Sequence, residues 1–286
     1  MRSNNVKDLA DVHWPITGLF AGGVDPELTS EQIEAFERDG FLIGILLLDT
    51  DQVDALREDL NLMMQPVQVC NALFYEYNSN ESEDPSRRLF HALGAWRVAP
   101  TFHDIVFFRP LISVAERLLG GPVRLWHDQV FVKPARDGSG VAWHQDYSYW
   151  TRTKPIAHLT AWIGLDDADE GNGCVRYVPG SHRWPLLPRE HLAGDMESVM
   201  KHLTDEQRGA FIPVPSKLRA GEASFHHPMT LHGSFENRSD RTRRGVVINF
   251  IRDGVVSDTD KPLLVGIPTI PTGLKLGGKY FPLLSA

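Results

Sequence analysis

The sequence predicts a mainly β protein, a sandwich or closed barrel with helices gathered on its N-terminal side. Three observations carry this. From residue 123 onward, short β-rich runs alternate with turns, at 123–133, 159–165, 174–178, 223–225 and 245–251. Many short strands at such spacing suit a sandwich or barrel. Before residue 123, apolar residues recur at helical spacing instead. The chain has 286 residues, 42% of them hydrophobic, enough for one sizeable core and one domain.

The elements follow in order. Residues 1–28 are polar and punctuated by Gly and Pro, an irregular arm. Thr29-Ser30-Glu31-Gln32 reads as a capping box opening a helix, with Ile33 and Phe36 on its apolar side and Asp39-Gly40 ending it. Residues 41–48 form an apolar run read as a buried strand. Asp49/Thr50 starts a second helix, with Val53, Leu56, Leu60 and Met63/Met64 at helical spacing. Residues 78–86 are a polar loop, expected to be mobile. Pro110 opens a third helix with Leu111, Val114, Leu118 and Leu119 inward, stopped by Gly120-Gly121. A helix over 195–210 is expected as an insertion between strands. The whole chain divides into the arm, a helical flank over 29–122, a β core over 123–255 and a C-terminal extension over 256–286.

Composition narrows the function. Net charge is −8 and the pI is near 5.8. No long basic run is visible, which argues against nucleic acid and anionic membranes as partners. Cys70 and Cys174 are the two cysteines. They are widely separated and form neither a disulfide framework nor a thiolate zinc site. The first thirty residues lack a continuous apolar segment, and the run 41–48 is far too short to span a bilayer. A cytoplasmic protein is the expectation.

The chemistry concentrates in His144-Gln145-Asp146, with His232 and Arg243 far downstream. Two imidazoles and one carboxylate form the ligand set of a facial triad, which suits non-haem Fe(II) and leaves three open positions for a chelating co-substrate and O₂. Twelve histidines are present, so the pattern alone is not rare, and a surface or core histidine is the competing reading. On a strand or at its end, residues two apart share a face, so His144 and Asp146 can aim at one metal. Trp143, Tyr147, Tyr149 and Trp150 beside them can make an apolar cavity. His232 is the better distal ligand because the arginine spacing belongs to it, with His227 the fallback. Arg243 can hold the far carboxylate of a keto acid, bidentate as a lysine could not be. Periodicity does not choose between Arg243 and Arg244.

Several ordered motifs resemble the phytanoyl-CoA dioxygenase (PhyH) superfamily of Fe(II)/2-oxoglutarate oxygenases. They are Trp143-His144-Gln145-Asp146, then 161–167 (AWIGLDD), Gly171-Asn172-Gly173-Cys174 and Pro179-Gly180-Ser181-His182. The last is His232-Gly233-Ser234 with Asn237, Ser239 and Arg243, and Phe36 to Phe41 resembles the family's opening phrase. The resemblance covers roughly 129–250. It implies a double-stranded β-helix, a jelly-roll or cupin-like barrel with the metal in its mouth. It implies His144, Asp146 and His232 as iron ligands, Arg243 as partner of the distal carboxylate of 2-oxoglutarate, Ser234 assisting, and Trp162 beside the co-substrate. Gln129 and Lys133 stand where members place co-substrate or substrate contacts, or are ordinary half-buried strand residues. Tyr147, Tyr149 and Trp150 are substrate-wall candidates or core packing. His182 belongs to a turn.

The implied reaction decarboxylates 2-oxoglutarate to succinate and CO₂ and hydroxylates a C–H bond of a small molecule. Asp146 argues against halogenation, since related halogenases lose this carboxylate. Desaturation or ring closure by the same oxidant, action on an acyl-CoA ester, a non-catalytic binding member of the fold, and a cupin-type enzyme without keto acid remain as alternatives. The oligomeric state is not legible.

Overall fold

The structure is a computed structural model that describes residues 7–23, 25–65, 72–84 and 86–285. Cys70 and the first six residues of the arm lie outside them. The arm has a 3₁₀ turn, Leu9–Asp11, and its described part is docked on the domain. Asp8 pairs with Arg97 at 2.7 Å, and Asp104 accepts from the Ile16 and Thr17 amides.

Helix α1 (Ser30–Asp39) begins with the expected reciprocal box between Thr29 and Gln32 and ends at Gly40 with φ 84°. Gly40 is needed twice. Its backbone is left-handed, and an added Cβ would lie 2.4 Å from His182 Nδ1. Strand β1 (Phe41–Leu46) follows. Helix α2 (Thr50–Met63) is capped by Asp49 and buries Val53, Leu56 and Leu60. Strands β2 (Glu76–Asn78) and β3 (Phe90–Leu93) come next. The polar loop between them is tied to Leu89 by the Glu81 amide (2.8 Å) and the Asn80 side chain (2.9 Å). A helix the sequence did not signal, α3 (Pro100–Val106), precedes α4 (Arg109–Leu119), which Gly120 ends. Helix α3 is buried nearly all round, so it carries no polar stripe to reveal its period.

The core strands are β4 (Val123–Lys133), β5 (Val141–His144), β6 (Thr153–Lys154), β7 (His158–Gly164), β8 (Val175–Tyr177), β9 (Val214–Pro215), β10 (Glu222–His226), β11 (His232–Ser234), β12 (Arg243–Arg252) and β13 (Val256–Ser257). With β1, β2 and β3 they form an antiparallel seven-stranded sheet, β1-β10-β7-β12-β4-β3-β2, and a four-stranded sheet, β5-β11-β8-β9, while β13 pairs with β6 alone. One helical turn, α5 (Tyr147–Trp150), follows β5. The expected helix over 195–210 is instead a 3₁₀ turn, Ser198–His202, and a separate short helix, α6 (Asp205–Ala210), capped by Thr204. The capping box at Thr204 starts a new helix, so the two pieces cannot merge.

Alternation sorts the large sheet. Val246, Ile248 and Phe250 of β12 join Val130 and Val132 of β4 in the main core, which also holds α2, α3 and α4 residues. Val247 and Trp162 instead join Phe41, Val175 and Tyr177 between the two sheets. The inward class of β12 is therefore Arg243, Gly245, Val247 and Asn249. Their β4 partners are Lys133, Phe131, Gln129 and His127. A register shift at Asn249/Phe250 leaves Trp126 as the extra residue of a bulge, and both Trp126 and His127 line the cavity between the sheets.

Candidate metal centre and the cavity around it

Strands β5 and β11 are neighbours, and His144 stands directly opposite His232. Their ring centroids are 4.2 Å apart. Strand β5 stops at His144. Asp146 has φ −54° and ψ −41°, so it shares a target with His144 through a turn, not through strand alternation as expected. Gln145 holds that turn from inside. Its amide donates to Met229 O at 3.0 Å, and its Oε1 accepts from the Leu187 amide at 2.7 Å.

His144, Asp146 and His232 form a group able to hold one metal ion, with their ligand atoms within 4.8 Å of one another. Asp146 Oδ1 lies 3.5 Å from His144 Nε2 and 3.6 Å from His232 Nε2. Each ring donates Nδ1–H to a backbone carbonyl, His144 to Ala142 at 2.7 Å and His232 to Thr230 at 2.9 Å. A carbonyl only accepts, so Nε2 is left with its lone pair facing Asp146. Asp146 Oδ2 is taken separately, by Thr160 Oγ1 at 2.6 Å and His226 Nε2 at 3.0 Å. Burial opposes the Asp146 charge, but His232, His144 and His226 hold its pKa well below the usual carboxylate range. Burial, with His144 and His226 nearby, pushes the His232 pKa well below its ordinary value. A neutral imidazole and an ionised carboxylate are the states that ligate a divalent cation, and this donor set suits Fe(II).

A cavity of about 760 Å³ opens over the group. Arg243 lines it, 2% exposed, its guanidinium 5.0 Å from the Trp162 ring centroid. Arg243 Nη1 donates to Gly173 O at 2.5 Å, and its buried Nε has no partner. Burial brings its pKa down to about 10, so it remains a cation near neutral pH. Arg244 points the other way and is neutralised by Asp166 through bonds of 2.8 and 2.7 Å.

The other expected residues divide. Ser234 lines the cavity and donates to Gly173 O at 2.9 Å. Gln129 lines it with its Oε1 2.9 Å from His91 Nε2, and His91 in turn contacts Glu81. Lys133 stands behind this wall, its ammonium donating to Ser234 Oγ, Ser234 O (3.1 Å) and Phe235 O (2.6 Å). Tyr149 and Trp150 line the cavity. Tyr147 does not. Its hydroxyl donates to Thr153 O at 2.7 Å within the core, the packing role weighed for it. His227 faces His182, 5.5 Å between ring centroids, and is no part of the metal group.

His226, Thr160, Gln145, His91 and Glu81 were not singled out from sequence. Alternation offered one signal. His226 pairs with Thr160 across β10 and β7, and both side chains reach Asp146.

Among the described residues, no helix is long and apolar enough to cross a membrane. The chain is 27% identical to an ectoine dioxygenase of Bordetella parapertussis over 237 residues, 77% of this chain and 74% of that protein. It is 22% identical to the peroxisomal phytanoyl-CoA dioxygenase of Bos taurus over 232 residues, 78% of this chain and 68% of that one. A solved structure described as the non-heme alpha ketoglutarate dependent carbocyclase SnoK from nogalamycin biosynthesis superposes with a TM-score of 0.72 at 23% identity. That superposition covers 91% of this chain and 99% of the other, and shows the shared cupin-type fold. Residues 36–245 match the family described as Phytanoyl-CoA dioxygenase (PhyH). That match runs from within α1 to within β12, so the chain belongs to the phytanoyl-CoA dioxygenase (PhyH) family of Fe(II)- and 2-oxoglutarate-dependent dioxygenases.

Proposed function

We propose that this enzyme hydroxylates an unactivated C–H bond of a small free metabolite, with His144, Asp146 and His232 holding the iron and Arg243 holding 2-oxoglutarate. One observation carries the co-substrate assignment. Arg243 is a buried guanidinium with no ion-pair partner among the described residues, in the same cavity as the His–Asp–His group. A buried charge without a counter-ion is costly, and a dicarboxylate supplies the missing one.

When bound, the iron supplies O₂ activation coupled to decarboxylation of 2-oxoglutarate to succinate and CO₂. The protein does the rest. Thr160 and His226 fix which oxygen of Asp146 faces the metal side. Trp162 plates the Arg243 guanidinium, and Ser234 Oγ, 3.5 Å from Arg243 Nη1, flanks it. Gln129 offers its amide to the cavity from β4, while Lys133 braces Ser234 from behind. A free metabolite is supported by the ectoine dioxygenase relative, whose name denotes a small solute. A cavity of about 760 Å³ lies in the range of small-molecule sites.

The test compares two adjacent arginines. Arg243→Ala raises the 2-oxoglutarate KM by about 30-fold or more, the loss of a buried charge pair, while Arg244→Ala leaves it nearly unchanged. The reverse pattern overturns the assignment. Asp146→Ala abolishes succinate formation, and near-normal release would remove Asp146 from the metal site. Product mass separates the chemistries: hydroxylation adds one oxygen, whereas desaturation or ring closure removes two hydrogens.

A further inference from the structure

The C-terminal extension forms part of the cavity wall. Residues 262–266 line it, although the family match ends at residue 245. This strap is fastened to the segment just after Asp146. Arg152 donates Nη1 to Pro262 O and Nη2 to Leu263 O, both at 2.8 Å. Its own carbonyl accepts from the Asp258 amide at 2.8 Å. Strand β13 pairs with β6, Val256 opposite Lys154 and Ser257 opposite Thr153. Leu263 is the anchor, 1% exposed in the main core. Leu264 is partly buried, and Val265 is 64% exposed although apolar.

Two indoles face the same space. Trp126 and Trp150 line the cavity with ring centroids 6.4 Å apart at 75°. Phe281, also from the extension, stacks on Trp126 at 5.5 Å and 16°. The cavity thus carries charged groups and imidazoles around Asp146 and Arg243, and an aromatic and aliphatic surface at Trp126, Trp150 and the strap. Such a surface recognises mainly apolar area. The donors beside it are the Trp126 indole N–H, buried and without a hydrogen-bond partner among the described residues, and the Arg152 guanidinium that holds the strap.

We propose that the strap 262–266, clamped by Arg152, is the substrate-selecting wall of this enzyme, and that it takes the apolar ring or chain of the metabolite. The inference rests on the function proposed above for the identity of the metal end. Because α5 carries Tyr149 and Trp150 and begins directly after Asp146, the clamp at Arg152 sets the wall relative to the metal group. Arg152 is a positioning residue, and Leu264 and Val265 supply the contact.

The test uses the full chain loaded with Mn(II), a paramagnetic stand-in for iron, with 2-oxoglutarate present. The probes are 1-fluoronaphthalene, apolar, and 3-fluoroalanine, a zwitterion, each followed by its fluorine NMR line width. The naphthalene line broadens with the wild type and with Ile212→Glu, a control at an exposed apolar position outside the cavity. Broadening falls about tenfold in Leu264→Glu and in Val265→Glu, because a carboxylate on an apolar wall must be desolvated when the ring docks. Val265→Glu stands at an exposed position, so the result does not depend on Leu264→Glu folding. Equal broadening in wild type and both variants overturns the wall, as does a wild type that broadens only the fluoroalanine line. If 2-oxoglutarate fails to bind but the naphthalene line still responds to Leu264→Glu, the co-substrate reading falls and the wall stands.

Discussion

Asp146 shows how much one side chain does here. Its two oxygens have different tasks. Oδ1 faces His144 and His232, and Oδ2 is held by Thr160 and His226. His226 is itself set by Tyr177, whose hydroxyl is 3.2 Å from His226 Nδ1 and 2.8 Å from Ser224 Oγ. Groups that orient a ligand carboxylate typically contribute 10–100-fold to metal affinity, so His226→Phe, which keeps a ring and removes the donor, weakens metal binding by roughly that factor. Competition with a chromophoric chelator measures it without turnover. Unchanged affinity would leave Thr160 as the sole determinant of the Asp146 orientation.

At the scale of elements, β12 decides which arginine enters the cavity. The triple of Arg241, Arg243 and Arg244 is indistinct by periodicity, yet the strand sends only Arg243 into the cavity. Arg244 meets Asp166, and Arg241 meets Asp169 at 2.5 Å. Two residues on, Gly245 is needed for space. An added Cβ would lie 2.3 Å from Trp162 Cζ2 and 2.8 Å from its Cε2. Gly245→Ala therefore displaces the indole that plates Arg243. Overpacking of this kind costs about 1–3 kcal/mol, and the 2-oxoglutarate KM rises with it. Thermal melts and KM, measured together, check this. A destabilised variant with unchanged KM would show that Trp162 does not position the arginine.

Over the whole molecule, buried titratable groups set the pH response. Burial lowers the pKa of His127 to about 4, His158 to about 3 and His227 to about 4. Their unfolded values lie near 6.5. The folded protein keeps them neutral, so their contribution is full above about 6.5 and is lost as pH falls toward 4, where the unfolded chain binds protons the native one refuses. Asp128 acts oppositely. Burial raises its pKa to about 7, so its contribution is present at acid pH and lost as pH rises through 7. Three losses against one gain leave a net destabilisation on acidification, of order 1.4 kcal/mol per pH unit for each uncompensated proton. Melting curves of the metal-free protein therefore shift to lower temperature from pH 7 to pH 5. A flat or rising Tm would contradict the balance.

Local chemistry is legible in one dimension. Thr29 with Gln32 and Gly40 bound α1, Asp49 opens α2, and β4 runs over the predicted 123–133. Caps, glycines and β-rich runs act on their own neighbours, so their signals survive in one dimension. The His144, Asp146 and His232 set was legible because metal chemistry restricts residue types and spacing. Periodicity left Arg243 and Arg244 equal, since both alternation classes of β12 begin with an arginine; the resemblance implied Arg243, and sheet packing supplies the physical reason by burying that face. The tertiary structure alone placed Asp146 on a turn, through a glutamine that reaches Met229 and Leu187. And it alone returned residues 262–266 to the cavity, a contact more than a hundred residues from Arg152 in the chain. Such closures depend on packing between distant segments, which no local pattern records.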